Sequence, residues 1–312
     1  MAIELAVGID IGGTHTVIGL VDEIGTIVGS SSFSTTDFPD INVYVNEISK
    51  HIVTIHSSLN DESTIKGIGI GAPNGNYYRG TIEHAPNLVW KGIVPFVEMI
   101  KIRTGIKDVV LTNDAKAAAI GEMIFGGAKG MKDFIVITIG TGLGSGIVSN
   151  GNIVYGYDGF AGEMGHVIVK RDGRMCTCGR KGCLEAYVSK RGIIQTYMEL
   201  KEINCKLESA EITPAYISEL ACKGDEIALN VFEETGRILG QTLADSACYL
   251  EPEAIFIFGG IAQSGDLLLT PIRIYMEQNL HNIYQGKIKI IPSALPGNTA
   301  AILGAAALIW KQ

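Results

Sequence analysis

Apolar and polar positions follow two rhythms along this chain, and the changes of rhythm mark out its elements. Leu5 to Val28 reads LAVGIDIGGTHTVIGLVDEIGTIV: an apolar run, a Gly/Thr-rich turn, a second apolar run, then a polar Gly-containing turn into a third. Phe134 to Val154, FIVITIGTGLGSGIVSNGNIV, repeats that order. Short apolar runs bounded by such turns predict β-hairpins. Two matching copies predict a duplicated domain, because solenoid repeats recur at shorter periods. Between the copies the pattern predicts helix over Val43–Ser57, strand over Thr64–Gly71, helix over Val94–Thr104, strand over Val109–Thr112 and an Ala-rich helix over Ala115–Phe125. After the second copy it predicts helices over Lys190–Leu200, Ile217–Cys222 and Ala228–Leu250. A buried strand follows at Ala254–Phe258, then a helix at Leu267–Leu280 and a strand at Lys287–Pro292. The last helix begins near Asn298, a residue suited to N-capping. Strands and helices mixed in this order indicate α/β layers. No Pro- or Ser-rich linker separates domains, and the boundary is placed near Thr112.

Composition narrows the function. A chain of 312 residues, 46% hydrophobic, has room for two cores of ordinary size. Its 39 glycines come with only 9 prolines, so they belong to tight turns rather than to linkers. A net charge of -8 argues against nucleic acid as a partner, since phosphate contacts require clustered Lys and Arg. The N-terminus enters an apolar strand pattern at once, without a basic-then-apolar signal region. The most apolar stretch, Ala300 to Trp310, is about half the length a bilayer span requires. The expectation is a soluble cytoplasmic protein with no membrane partner. Six cysteines comprise one cluster (Cys176, Cys178, Cys183) and three scattered residues, Cys205, Cys222 and Cys248. Disulfide frameworks belong to small secreted chains, so this usage fits a reducing compartment and one metal site.

Two glycine loops carry the first chemistry. In Asp10-Ile-Gly12-Gly13-Thr14-His-Thr16, glycines let the backbone approach an anion, while amides and hydroxyls donate to phosphate oxygens. A carboxylate at Asp10 would repel phosphate unless a cation lay between them, which suits Mg²⁺ held mostly through water. Gly140-Thr141-Gly142-Leu143-Gly144-Ser145-Gly146 offers the same chemistry. Either loop alone reads equally well as a hairpin turn; the pair favours phosphate. No Gly-rich loop ends in Gly-Lys-Ser/Thr. Gly67 to Ala72 fits the dinucleotide fingerprint, but Pro73, Asn74 and Gly75 follow, so no helix begins there.

His166, Cys176, Cys178 and Cys183 supply four soft or borderline ligands within eighteen residues. That set suits tetrahedral Zn²⁺ with no position left open for catalysis, although spacing alone also admits free thiols. Asn113-Asp114 lies between a strand and the Ala-rich helix. One of them caps that helix on the simplest reading. An aspartate placed near a phosphoryl acceptor can also take the proton of a hydroxyl, and both readings can hold together.

The paired loops, with Phe258-Gly259-Gly260-Ile-Ala-Gln263 after a buried strand, resemble the two phosphate motifs and the adenosine motif of the actin–hexokinase–Hsp70 fold. Within that fold the chain resembles the ROK family of bacterial sugar kinases and sugar-responsive repressors, over nearly its whole length. His-x9-Cys-x-Cys-x4-Cys is a hallmark of the same family. The resemblance implies a duplicated actin-like ATPase (ribonuclease H-like) fold, with two α/β domains around a central cleft. The smaller spans 1–112, with the helix of 298–312 packing back on it; the larger spans 113–297 and carries the zinc loop. It implies ATP and Mg²⁺ at Asp10, Gly12, Gly13, Thr14 and Thr16, at Gly140, Thr141, Gly142 and Gly144, and at Gly259 and Gly260. It also implies a structural Zn²⁺, Asp114 as general base, and a hexose held by Asn87, Asn113, Asp114, Glu163, His166 and Glu185.

The expected activity is phosphorylation of glucose at its 6-hydroxyl. The alternative is an N-acetylmannosamine or N-acetylglucosamine kinase. A repressor is disfavoured by the nine residues before Asp10 and the acidic charge. A homodimer is the assembly the resemblance suggests. One departure stands out: the family's Gly-x-Pro-Gly is Gly71-Ala-Pro73-Asn74 here, and Asn is among the residues that accept a left-handed backbone.

Overall fold

The computed structural model describes residues 3–59, 62–202, 212–297 and 299–311, so Cys205 and Asn298 lie outside the described residues. The chain forms two compact units, one of residues 1–131, 153–162 and 294–312, the other of 132–152 and 163–293. In the first unit the chain runs β1 (Ile3–Ile11), β2 (His15–Val21), β3 (Ile27–Ser34), α1 (Ile41–Ser57) and β4 (Ser63–Gly71). Three short strands follow, β5 (Gly75–Asn76), β6 (Thr81–Glu83) and β7 (Ile93–Val94), then α2 (Phe96–Thr104), β8 (Val109–Thr112) and α3 (Asp114–Ile124). The main sheet has the order β3-β2-β1-β4-β8, with β1 antiparallel to β2 and parallel to β4, which is parallel to β8. Central strands covered on both faces need continuous apolar runs. Accordingly Leu5, Val7, Ile9, Ile11, Ile68 and Ile70 are all buried in one core. Edge strand β3 instead alternates half-buried and exposed positions.

The second unit contains β9 (Phe134–Ile139) and β10 (Leu143–Ser149), whose sheet ends in the edge strand β11 (Asn152–Ile153), where the unit's first segment stops. The short helix α4 (Glu185–Val188), then α5 (Lys190–Leu200), α6 (Pro214–Cys222) and α7 (Glu226–Leu250) come next. β12 (Ala254–Phe258), α8 (Asp266–Asn279) and β13 (Lys289–Pro292) complete it. Its sheet order, β11-β10-β9-β12-β13, repeats that of the first, with the same antiparallel pair and the same two parallel pairings. The duplication expected from the two hairpin segments is thus present in strand order and direction.

The last helix, α9 (Ala300–Trp310), belongs to the first unit and is apolar on all sides, as a helix covered all round must be. It presses on the main sheet at two glycines: a Cβ on Gly8 would lie 2.2 Å from the carbonyl oxygen of Ile302, and one on Gly69 1.8 Å from that of Ala305. Gly67 to Gly71 therefore serves helix packing along β4. The fingerprint match there has no dinucleotide meaning.

Most elements begin or end within three residues of the sequence expectation, and two of the shifts have a clear local cause. The helix expected from Val94 begins at Phe96, because Val94 pairs with Ile82 in the small sheet and Pro95 stands at the N-cap, where no N–H is needed. The strand expected from Lys287 begins at Lys289, after a turn closed by the Lys287 N–H on the Tyr284 carbonyl at 3.2 Å. Among the described residues no helix is long and apolar enough to cross a membrane.

Candidate active site

In the first unit the turn after Asp10 is closed by the Gly12 N–H donating to the His15 carbonyl at 2.9 Å. A Cβ on Gly13 would sit 2.7 Å from the backbone oxygen of Asn87, so the loop and Asn87 lie in contact only because residue 13 lacks a side chain. Thr14 faces solvent beside them. Thr16 is placed differently. It is fully buried on β2, and its hydroxyl is hydrogen-bonded to Tyr44 Oη at 2.5 Å and to Thr35 Oγ1 at 2.8 Å. Tyr44 in turn packs on Trp90 with ring centroids 4.3 Å apart. The Thr16 hydroxyl thus anchors the loop from below and is turned toward the core.

Asn74 adopts a left-handed conformation, φ 51°, and its Nδ2 donates to the carbonyl oxygens of Glu83 at 2.9 Å and His84 at 3.4 Å. The turn survives the loss of glycine, and the amide that asparagine introduces closes that same turn.

At the end of β8, Asn113 caps α3 by accepting from the Ala115 N–H at 3.0 Å, and Asp114 Oδ1 accepts from the same N–H at 2.8 Å. The capping role is therefore real, and it engages the side-chain oxygen of Asn113 and one carboxylate oxygen of Asp114. Asp10 and Asp114 flank Gly71, whose missing Cβ would lie 3.7 Å from Asp10 Oδ1 and 3.6 Å from the Asp114 Cα. Burial, and then the charge of Asp114, push the Asp10 carboxyl up to about 7. Burial also raises Asp114, against the Ala115 N–H and the charge of Lys116. Protein crowds Asp114, yet its side chain stays exposed, so a small molecule can reach a carboxylate of enhanced basicity. Paired carboxylates with raised proton affinity are a recurring mark of acid–base and cation-binding sites.

The Asp10 shift has a stability consequence. A carboxyl near 7 when folded and near 3.8 when unfolded keeps its proton in the native state through that window, so stability falls as pH rises from about 4 to 7. Asp10→Asn removes that loss. Chemical denaturation without Mg²⁺ or nucleotide should show the variant more stable than wild type at pH 8, by a few kcal/mol on the order of 1.4 per pKa unit, and no more stable at pH 4. Equal pH profiles would contradict the assignment.

In the second unit the glycine loop between β9 and β10 is closed by the Gly140 N–H on the Gly142 carbonyl at 3.0 Å. The Lys190 N–H, at the start of α5, donates to the Gly140 carbonyl at 2.9 Å. Glu185 Oε2 accepts from the Leu143 N–H at 2.9 Å, and its Oε1 accepts from the Thr177 hydroxyl at 2.9 Å. Gly259, φ 111°, packs where a Cβ would lie 2.3 Å from the Ile139 carbonyl oxygen, so the end of β12 is laid beside the start of the glycine loop. Gly260 next to it has open space on its side-chain face. Glu163 is exposed, and the segment it begins is tied to β10 by the Met164 N–H on Ser145 Oγ at 3.2 Å.

His166, Cys176, Cys178 and Cys183 come together, with ligand atoms all within 4.8 Å of one another. Cys178 and Cys183 Sγ are 3.7 Å apart, as are Cys176 Sγ and His166 Nδ1. A tetrahedron with Zn–S near 2.3 Å has edges of about 3.8 Å, so the donor set and its spacing fit zinc. Burial acts to raise the Cys178 thiol, but N–H and side-chain donation from Arg180 bring it down to about 6, toward the thiolate a metal requires. With Nδ1 facing the cysteines, Nε2 is the other ring nitrogen of His166.

Sequence reasoning quoted Thr177 only as the spacer of Cys-x-Cys, and passed over Tyr44, Thr35 and Lys190. Their roles depend on tertiary contacts that carry no local pattern.

The model of the ROK family matches residues 6–312. The chain belongs to the ROK family. A ROK family glucokinase from Streptomyces griseus, solved in complex with glucose and AMPPNP, superposes with a TM-score of 0.83 at 33% identity, covering 99% of this chain and 100% of that one. With it comes the duplicated actin-like ATPase fold. The glucokinase of Streptomyces coelicolor is 35% identical over 317 residues, 97% of each chain. ROK family members also include the xylose repressor of Bacillus subtilis, 28% identical over 97% of this chain and 76% of the repressor.

Proposed function

We propose that this ATP-dependent sugar kinase phosphorylates glucose at its 6-hydroxyl, with Asp114 as general base. The observation that carries the reading is an accessible carboxylate of raised basicity at the start of α3, next to a second carboxylate at the end of a glycine loop. In the reaction the hydroxyl proton passes to Asp114 while the sugar oxygen forms a bond to the γ-phosphorus. The bond from that phosphorus to the β,γ-bridging oxygen breaks, and ADP leaves. Donor groups aimed at the phosphoryl oxygens supply most of the stabilisation in such transfers. Here they are the amides of Gly13, Thr14, Thr141, Gly142 and Gly144, while Gly12 and Gly140, whose own N–H groups close the two turns, let the backbone come close, with Gly259 and Gly260 toward the adenine. Asp10, charged above pH 7, suits Mg²⁺ held through water, which offsets phosphate charge when bound. His166, Cys176, Cys178 and Cys183 would hold one structural zinc.

The sugar ligands in this reading are Asn87, Asn113, Glu163, His166 and Glu185. The side-chain oxygen of Asn113 is engaged by capping and its amide is hydrogen-bonded to the Asp114 carboxyl, which leaves one amide N–H to donate to a hydroxyl. A primary hydroxyl projects furthest from the ring and reaches the base while those groups grip the other hydroxyls. Asn74 bears on the choice between glucose and N-acetylhexosamines: its amide N–H groups are occupied by the Glu83 and His84 carbonyls and are not free to donate to an acetyl oxygen, which favours glucose. Sites built on hydroxyl recognition discriminate strongly against a missing partner.

Coupled ATP-consumption assays with glucose, mannose, fructose, N-acetylglucosamine and N-acetylmannosamine test the reading. The highest kcat/KM is expected for glucose. A tenfold higher value for either N-acetylhexosamine would overturn glucose as substrate and leave the kinase assignment intact.

A further inference from the structure

We infer that Thr177 is a positioning residue for nucleotide binding: through Glu185 it fixes the glycine loop of residues 140–146. The inference rests on the reading that this loop receives phosphates. From Leu143 on, the loop is held by the pairing of β10 with β9, but its tip, residues 140–142, is closed within itself by one short turn from Gly140 to Gly142. Its shape is imposed from outside, at two points, by the segment that follows the last cysteine. The Lys190 N–H holds the Gly140 carbonyl, and Glu185 Oε2 holds the Leu143 N–H. Gly142 is the residue that lets Glu185 approach, because a Cβ there would come within 2.6 Å of Oε2.

A carboxylate fixes an amide only if the carboxylate is itself fixed. Oε1 of Glu185 receives the Thr177 hydroxyl at 2.9 Å, while Cys176 Sγ stands 3.7 Å away. A cysteine that serves as a metal ligand is a thiolate and has no proton to give. Thr177 is then the donor that the cysteine loop offers to Glu185. With a donor on each oxygen, the carboxylate plane is locked and the Leu143 N–H points where the loop needs it. Without Thr177, Oε1 of the half-buried Glu185 loses its protein donor, and the carboxylate can turn about its side-chain bonds toward water. Thr177 itself is exposed, and besides Glu185 its hydroxyl meets only the Cys176 sulfur at the longer distance of 3.9 Å.

The test compares wild type, Thr177→Val and Thr177→Ser in calorimetric titration with AMPPNP and Mg²⁺ in the absence of sugar, with zinc content measured on each sample. Valine keeps the shape and removes the hydroxyl. Expected is a 5- to 10-fold weaker AMPPNP affinity for Thr177→Val, on the order of one lost charge-assisted hydrogen bond partly transmitted. Thr177→Ser should return to within twofold of wild type, with zinc content unchanged throughout. AMPPNP affinity of Thr177→Val within twofold of wild type overturns the inference. Loss of zinc from Thr177→Val overturns it as well, since the threonine would then act on the metal ligands rather than on the loop. If wild type itself fails to bind AMPPNP, the nucleotide reading of the loop falls, and this inference with it.

Discussion

Asp114→Asn should retain the fold and bind glucose, yet turn over about 10²–10⁴-fold more slowly than wild type, the usual cost of removing a general base. Asparagine keeps an oxygen for the Ala115 N–H, so the start of α3 stays capped and the expected loss is chemical. What disappears is the only group at that position able to take a proton. Burial raises the Asp114 carboxyl above the ordinary carboxylate range, which moves its basicity toward that required at neutral pH. The nearby Asp10, separated by the empty side-chain face of Gly71, shares this environment and should not replace it, because in the proposed reaction it serves the phosphate side. Steady-state kinetics with calorimetric measurement of glucose affinity decides the point. A variant keeping more than a tenth of wild-type kcat removes Asp114 from the mechanism. Weaker glucose binding with unchanged kcat would recast it as a sugar ligand alone.

Much of this was legible before any coordinates. The hairpin segments announced both sheets, since a strand–glycine turn–strand pattern is local and hydrophobic alternation carries its own period. Val109–Thr112, Lys190–Leu200 and Ala254–Phe258 coincide with observed elements at both ends, because Gly, Pro or a capping residue bounds them. The strands of two or three residues at Gly75–Asn76, Thr81–Glu83 and Ile93–Val94 left no readable pattern. Too few residues are involved for alternation to show, and they owe their pairing to what surrounds them. The cysteine cluster was legible because metal ligands must be of a few residue types. Thr16 was harder. Its place in the Gly/Thr loop suggested a phosphate donor, and only the alternation of β2 turns that hydroxyl inward to Tyr44. The two oxygens of Glu185 show the same limit, for Thr177 and Leu143 meet on them from segments far apart in sequence.

Loss of the proposed zinc should be the most damaging change after loss of the Asp114 carboxylate. The loop from His166 to Cys183 is irregular, and the metal would tie its two ends together. It has two isolated bridges, Ile168 with Cys183 and Met175 with Lys181, with backbone hydrogen bonds such as the Cys176 N–H on the Arg180 carbonyl and the Gly182 N–H on the Arg174 carbonyl, both 2.8 Å, and Gly179 and Gly182 stand at left-handed φ angles of 85° and 81°. Cys176 and Cys183 are buried, while Cys178 and Thr177 are exposed, so no apolar core replaces the ion. Arg174 pins the base of the loop to α5 through the Gly192 carbonyl at 3.1 Å and Glu199 at 2.6 Å, which should keep the rest of the unit folded. Metal binding at such sites is coupled to local folding, on the order of 10 kcal/mol in small zinc peptides. Elemental analysis of protein purified without chelator should give one zinc per chain. Cys178→Ser should lose most of that zinc, lower Tm and reduce kcat/KM by roughly 10–100-fold or more, as expected for disruption of a metal shell. Cys248→Ser, at an exposed cysteine on α7, serves as the control and should change none of the three. Wild-type protein carrying no zinc would refute the site, and full activity in a zinc-free Cys178→Ser variant would show that the loop holds its shape without the metal.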